Sequence, residues 1–286
     1  MESLLDSKPC IHQPQVLQQR MRADGYLYFR GLVDANAVRA ALEAVQRMLR
    51  EQDWLDNAGC ATGRCRPEGM PEFLKMYDHL QRLEAFHRLA WRPEIMEIMK
   101  IIMGEPVMAH PRNIGRVMPP GYVPYTTPPH QDFPLIQGTP ECYTVWIPLT
   151  DLPQELGGLA VKECSHRLGL QRTVPALGPG GMAIRRELPG AWRTVDFLAG
   201  DVLTFHSYTV HRATPNHTRD QLRLSCDFRY QRADNVIVPD SLLPHYERLS
   251  WEQIYDGWNS ADGQYYWKHQ PWKLVARRDL KLMDPE

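Results

Sequence analysis

Polar and apolar positions along this chain change rhythm twice. From Pro14 to Gly104 apolar residues recur at helical spacing, with one interruption. Gln15 to Arg22 form a short amphipathic series that Pro14 can open and Asp24-Gly25 breaks, and Tyr26-Leu27-Tyr28-Phe29 then predicts a strand. Asp34 can cap a long helix over 35–52 that aligns Val38, Ala41, Leu42, Val45, Met48 and Leu49 on one face. Residues 59–71, GCATGRCRPEGMP, read as a loop. Beyond them the spacing predicts a helix over 72–89 and another over 94–103, opened by Pro93 and closed by Gly104.

After Gly104 the period shortens. Strand-like runs at 114–118, 143–148, 159–162, 194–197, 202–206 and 222–230 alternate with turn residues, without intervening helices, which argues for an antiparallel sandwich or barrel. Residues 240–286 mix helix signals with Trp251, Trp258, Tyr265, Tyr266, Trp267 and Trp272, an aromatic stripe expected to pack against that barrel.

Composition narrows the partners. With 286 residues, 43% of them hydrophobic, the chain can bury a real core, and 33 basic against 34 acidic residues set up no overall field toward nucleic acid or anionic lipid. A small molecule is the expected partner. The N-terminal stretch MESLLDSKPCIHQPQ lacks a secretory pattern and no apolar run reaches about 18 residues, so the expectation is a cytoplasmic protein without a membrane span. The six cysteines are scattered, Cys60 and Cys65 match no zinc pair, and reduced structural thiols are expected.

The chemistry concentrates in Pro128-Pro129-His130-Gln131-Asp132-Phe133. On an extended strand His130 and Asp132 would face one side and Gln131 the other. Two ligands bind weakly, and an H-x-D pair by itself can be accidental. A third candidate, His211, follows the strand-like Val202 to Phe205, and two imidazoles with one carboxylate on a single face are the ligand set that holds non-haem Fe(II) with three positions open. Farther on, Arg223 and Ser225 alternate onto one face of a buried strand, where a guanidinium and a hydroxyl make a receptor for a carboxylate. Arg223 could instead pair with Asp201 or Asp227.

Taken together, H-x-D, a distal His after Gly200-Asp201-Val202-Leu203-Thr204-Phe205-His206, and R-x-S resemble the Fe(II)/2-oxoglutarate-dependent oxygenases, in particular the phytanoyl-CoA dioxygenase-like (PhyH) family. Thr144-Val145-Trp146-Ile147-Pro148-Leu149, Leu156-Gly157-Gly158-Leu159 and Ser165-His166-Arg167 add to the likeness, which spans about residues 15–235. The resemblance implies an α+β, mainly β fold: a double-stranded β-helix, or cupin-like jelly roll, with N-terminal and C-terminal helices packed outside. It implies one domain over 1–286, with a largely helical part at 1–105, the jelly roll at 106–235 and a helical, aromatic segment at 236–286.

By the same resemblance His130, Asp132 and His211 match the iron ligands, while Arg223 matches the arginine that grips the distal carboxylate of 2-oxoglutarate and Ser225 its partner. Arg223 stands about one residue farther from the distal histidine than in many relatives, so Arg219 and Arg229 are fallbacks. Trp146, Thr127 and Asn113 are placed beside the cosubstrate; Arg116, His166 and Arg167 are candidate substrate contacts. The implied reaction consumes 2-oxoglutarate and O2, releases succinate and CO2, and hydroxylates an unactivated C–H bond. Desaturation, ring closure or epimerisation are the alternatives within the same chemistry. Related halogenases carry a small residue in place of the carboxylate, so Asp132 implies oxygen insertion and not halogenation.

Two rivals differ in kind. A cupin-like protein using another metal would need no Arg223-Ser225 receptor, and a non-catalytic jelly-roll binding protein would need no intact ligand set. No nucleophile elbow, phosphate loop or dinucleotide fingerprint appears in the sequence. The substrate is expected to be an acidic or amphipathic small molecule, because Arg167, Arg172, Arg185, Arg186 and Arg193 fall in a loop that, with Pro119 to Tyr125, should frame the entrance.

Overall fold

The computed structural model describes residues 1–280 and 282. Two antiparallel-rich sheets face each other. The larger carries Tyr26–Phe29, Val202–His206, Cys142–Pro148 and Arg223–Arg232 in that order, and both Val107–Ala109 and Ile114–Met118 pair with the far side of Arg223–Arg232. The smaller runs Glu2–Ser3, Trp192–Thr194, Leu159–Lys162 and His211–Ala213. The pair is a jelly-roll sandwich, open and not a closed ring of strands.

Period-two alternation gives the larger sheet two different faces. Leu27, Phe29, Val117, Val145, Ile147, Leu224, Cys226, Phe228 and Tyr230 turn outward and pack with Val38, Ala41, Val45, Phe73, Tyr77, Phe86, Ile95 and Met99 of the N-terminal helices. Their neighbours in sequence turn inward, where Tyr26, Tyr28, Trp146, Leu203 and Phe205 meet Leu159, Val161 and Phe197 in a second core between the sheets. The helices thus cover one side of the jelly roll and leave its interior to the site.

The helices Pro14–Asp24, Ala35–Glu51 and Pro93–Met103 stand where periodicity places them, and the Asp34 carboxylate caps the second by accepting from the backbone of Asn36 and Ala37. The helix expected over 72–89 is instead two pieces, Pro71–Leu80 and Glu84–Arg88. The break lies at Gln81, whose side chain donates to Tyr77 Oη and to the Asn113 carbonyl, while its own carbonyl accepts from His87 Nε2 at 2.8 Å. Tertiary partners satisfy the polar groups that a continuous helix would have paired.

The C-terminal segment is less helical than its sequence suggests, with one short α-helix among its described residues, Trp251–Tyr255, capped by Ser250. Its aromatic side chains cluster mainly with one another. They reach the rest of the molecule at the sheet edge, where Tyr266 donates to the Ala109 carbonyl, and on the helices, where Trp91 meets Tyr266 at 4.4 Å and Trp258 donates to the Arg82 carbonyl. Among the described residues no helix is long and apolar enough to cross a membrane. All six cysteines are free thiols.

Candidate active site

His130 and His211 are joined by a two-way backbone bridge, each N–H donating to the other's carbonyl at 3.0 Å, which brings the rings to 4.2 Å. The extended strand expected through His130-Gln131-Asp132 stops at His130. Asp132 instead adopts helical angles (φ −73°, ψ −33°) and opens the turn Phe133–Ile136, so the chain reverses and carries its carboxylate back beneath the imidazoles. Gln131 does face away: its side chain bonds the carbonyls of Gly169 and Tyr208 and the Gln171 backbone, tying the next loop to this turn. One ligating atom from each of His130, Asp132 and His211 lies within 4.8 Å of the others, all three residues being buried.

Hydrogen bonds set the tautomers. His130 Nδ1 donates to the Pro128 carbonyl at 2.8 Å and His211 Nδ1 to the Thr209 carbonyl at 3.0 Å; because a carbonyl can only accept, both Nε2 lone pairs are left free. Each Nε2 faces Asp132 Oδ1, at 3.8 and 3.7 Å. Burial, with His211 adding to it, pushes the His130 imidazole down to about 3, and burial lowers His211 as well. Burial would raise the Asp132 carboxyl, but Arg229 and the two histidines outweigh it and hold it well below the usual range. Two neutral nitrogens and one ionised oxygen converging in this way fit a divalent metal such as Fe(II) with open positions.

Arg223 and Ser225 lie deeper in the same sandwich. Arg223 is 3% exposed, and neither carboxylate it might have paired with reaches it. Asp201 is taken by Arg30 Nη1, Tyr28 Oη and the Gly31 amide, and Asp227 by Arg116 Nε at 2.8 Å. What Arg223 does contact is neutral: Nη1 donates to the Gly158 carbonyl at 3.1 Å and Nη2 to Ser225 Oγ at 3.3 Å, while its buried Nε has no acceptor. Burial lowers its pKa to about 10, which leaves it cationic at neutral pH. Ser225 Oγ also accepts from Trp146 Nε1 at 3.0 Å, so its own proton remains for an incoming acceptor. A buried cation short of an anion, beside a hydroxyl short of an acceptor, has the chemistry to receive a carboxylate.

His130 and Asp132 open into a cavity of about 280 Å³ walled by Arg116, Thr127, Leu135, Ile136, Arg229 and Tyr246 among others. A narrow cleft shares its Thr127, Arg116 and Pro179 wall and ends on Arg223. Thr127 therefore stands between the two halves of the site. Trp146 lies behind Ser225, packed edge-on against Phe197 at 4.8 Å, and does not line the cavity. Gly157, at φ +80°, sits so close to the Thr214 and Pro215 carbonyls that a Cβ would collide, which accounts for the glycine that precedes Gly158.

Several expectations fail on geometry. Asn113 does not border this cavity: its Nδ2 bonds His87 Nδ1 on the helix side of the sheet, while its neighbours Arg112 and Ile114 line the site. The arginines expected at the entrance are elsewhere. Arg193 pairs with Glu163 and Glu2, Arg167 and His166 bond the Arg22 carbonyl, and Arg172, Arg185 and Arg186 border a separate surface hollow. Arg219 is exposed. From the 167–193 loop the cavity takes Pro179 and Gly180.

Other wall residues gave no signal in the sequence. Glu68 comes from the 59–71 loop and binds Arg116 Nη1 through both oxygens at 2.9 and 3.0 Å. Asp240, Ser241, His245, Tyr246 and Arg277 come from the C-terminal segment, which thus caps the site as well as packing on the helices.

A jelly roll holding two histidines and an aspartate at its mouth, with a buried arginine–serine receptor beside them, has the design of a non-haem iron oxygenase that takes a keto acid. The chain belongs to the family described as phytanoyl-CoA dioxygenase (PhyH), whose model matches residues 21–224. Fe(II) is its metal, and 2-oxoglutarate and O2 are its cosubstrates. It is similar to the 1-deoxypentalenic acid 11-beta-hydroxylases of Streptomyces arenae, 27% identical over 257 residues covering 84% of this chain and 88% of the relative, and of Streptomyces exfoliatus, 27% identical over 267 residues covering 85% and 90%. Among solved structures it is similar to the epimerase SnoN in complex with Fe3+, alpha ketoglutarate and nogalamycin RO (TM-score 0.59, 25% identity, 79% of this chain and 86% of that one). The carbocyclase SnoK from nogalamycin biosynthesis shares the fold (TM-score 0.54, 23% identity, 82% and 90%).

Proposed function

We propose that this enzyme hydroxylates an unactivated C–H bond of an acidic or amphipathic small molecule, with 2-oxoglutarate converted to succinate and CO2. The observation that carries the reading is the pairing of a neutral-histidine and aspartate triad with a buried arginine that has no carboxylate of its own. His130, Asp132 and His211 would hold Fe(II), which with the keto acid and O2 supplies the oxidising power. Arg223 and the Ser225 hydroxyl would seat the distal carboxylate of 2-oxoglutarate, with Trp146 Nε1 fixing the Ser225 oxygen and Thr127 bordering the passage between the two. Leu135 and Ile136 give the cavity an apolar wall beside His130 and Asp132, against which a bound substrate would shield the reacting carbon from water.

The ionised Asp132 in the ligand set favours oxygen insertion over halogenation, and the relatives named as hydroxylases favour hydroxylation. Likeness to an epimerase keeps epimerisation as the second outcome of the same site. Arg112, Arg116 and Arg277 on the walls are paired with Glu247, with Glu68 and Asp227, and with Asp240, so an acidic group of the substrate would bind there by sharing these cations with their carboxylates. We also read the chain as one catalytic domain, because Glu68, Arg116 and Tyr246 bring the helical part, the jelly roll and the C-terminal segment to one cavity.

The test is an anaerobic titration of Fe(II)-loaded protein with 2-oxoglutarate, following the visible charge-transfer band of the chelate, in wild type and Arg223→Ala. The expected result is a band in wild type and a large loss of 2-oxoglutarate affinity in the variant. No band in wild type overturns the oxygenase site; unchanged affinity in the variant overturns the role of Arg223. A succinate-release screen over acidic and neutral candidates, with product mass, then separates hydroxylation, which adds one oxygen, from epimerisation, which adds none.

A further inference from the structure

We propose that Arg229 is a positioning residue that confines Asp132 to one-oxygen binding of the metal, and so keeps open the positions that 2-oxoglutarate and O2 need. The inference rests on reading His130, Asp132 and His211 as metal ligands. The two Asp132 oxygens have different surroundings. Oδ1 faces both histidine Nε2 atoms, at 3.8 and 3.7 Å. Oδ2 accepts from the Thr144 hydroxyl and, at 3.2 Å, from Arg229 Nη2, which also lies 3.3 Å from Oδ1. Thr144 and Arg229 are directly opposite each other on paired strands, so one rung of the larger sheet supplies both donors.

Arg229 is committed to this task. It is 6% exposed, and Asp132 is the acceptor of its hydrogen bonds, since its Nε and Nη1 have none. Its Nη1 lies 3.8 Å from Asp227 Oδ2; Asp227 is pinned by Arg116 Nε at 2.8 Å, Arg116 by Glu68, and Glu68 by the Tyr246 hydroxyl at 2.8 Å. A string of alternating charge thus braces the guanidinium from behind. Three protein donors leave three of six metal positions open only while the carboxylate uses one oxygen. A bidentate keto acid would need two of those, and O2 the third. An unrestrained carboxylate would rotate its second oxygen onto the metal and close one of them.

The test uses the full metal-free chain with Co(II) as the probe, followed through its visible d–d band before and after 2-oxoglutarate, in wild type, Arg229→Gln, Arg229→Lys and Thr144→Val. Expected for Arg229→Gln is a changed band before any 2-oxoglutarate is added and a 2-oxoglutarate affinity weaker by about tenfold or more. Arg229→Lys, which keeps the charge, should move both readouts back toward wild type. Thr144→Val, which leaves the charged string intact, should shift them in the same direction but less, and decides the matter if Arg229→Gln does not fold. A wild-type band and wild-type 2-oxoglutarate saturation in a folded Arg229→Gln, or in Thr144→Val and Arg229→Lys together, overturns the proposal. No band in wild type overturns the ligand assignment, and this inference with it.

Discussion

The strand Arg223–Arg232 has two faces built from alternate residues, and they do opposite work. Leu224, Cys226, Phe228 and Tyr230 turn outward into the helix-backed core, whereas Arg223, Ser225, Asp227 and Arg229 turn inward to the site. Both faces are equally buried. The outer one gains from leaving water, about 25 cal/mol per Å² of apolar surface. The inner one places charged groups where they are costly unless paired, and two of the three, Asp227 and Arg229, are held in the ion string while Arg223 is not. Stability thus resides on one face and unsatisfied polar capacity on the other, and substitutions should separate them.

The largest effect is expected where the inner face converges. His211→Ala removes one of the free Nε2 lone pairs that converge with Asp132 Oδ1, so 2-oxoglutarate turnover should fall to background and the charge-transfer band should vanish. Thermal unfolding, followed by circular dichroism, should remain one cooperative transition. Retention of the band would mean that His211 does not hold the metal.

Phe228→Ala makes the reciprocal cut. The ring is 0% exposed and packs against Phe86 at 5.9 Å, and truncating a phenylalanine so placed costs about 3–5 kcal/mol. Chemical denaturation should show that loss, while the folded protein still forms the band at wild-type 2-oxoglutarate concentration. A variant that loses affinity along with stability would show that the two faces are coupled.

Much of this division was legible in the sequence. Arg223 and Ser225 announce themselves because polar residues in an otherwise apolar strand at spacing two must share a face, and the H-x-D spacing and the distal histidine carried the triad. Parity would also have placed Asn113 correctly, since it shares its side of the Ile114–Met118 strand with Gly115 and Val117, which face the helices. Glu68, His245 and Tyr246 were not legible: they arrive on irregular segments whose direction is set by packing against Arg116 and Tyr77, and no period marks such residues. The turn at Asp132 and the break at Gln81 were hidden for the same reason, because side-chain partners far away in sequence fix them.

Arg223→Ala should weaken 2-oxoglutarate binding by about 2–5 kcal/mol, the range for removing one partner of a buried charged pair, read from saturation of the chelate band. The same substitution should leave the unliganded protein no less stable, because it deletes a buried cation that no carboxylate offsets. Denaturant midpoints of the metal-free proteins check this, and a clear drop would mean that Arg223 is structural.

The smallest effect, Ser225→Ala, discriminates most finely. Its Oγ accepts from both Arg223 Nη2 and Trp146 Nε1, so removing it takes one acceptor from each of two buried donors as well as the hydroxyl proton offered to the ligand. One neutral hydrogen bond is worth about 1 kcal/mol, or roughly fivefold in affinity, and a buried donor left unsatisfied costs about 1–3 kcal/mol in the unliganded protein. Trp146, one layer behind, loses its acceptor in both states, whereas the missing hydroxyl proton is felt only once 2-oxoglutarate is bound. Ser225→Ala should therefore lower stability in both states, and by about 1 kcal/mol more in the 2-oxoglutarate complex, where the weaker affinity adds to the loss, whereas a purely ligand-binding residue would show a loss only in the complex. Paired denaturation curves with and without saturating 2-oxoglutarate measure the difference, and an equal loss in both states would place Ser225 wholly with the structural face of its strand.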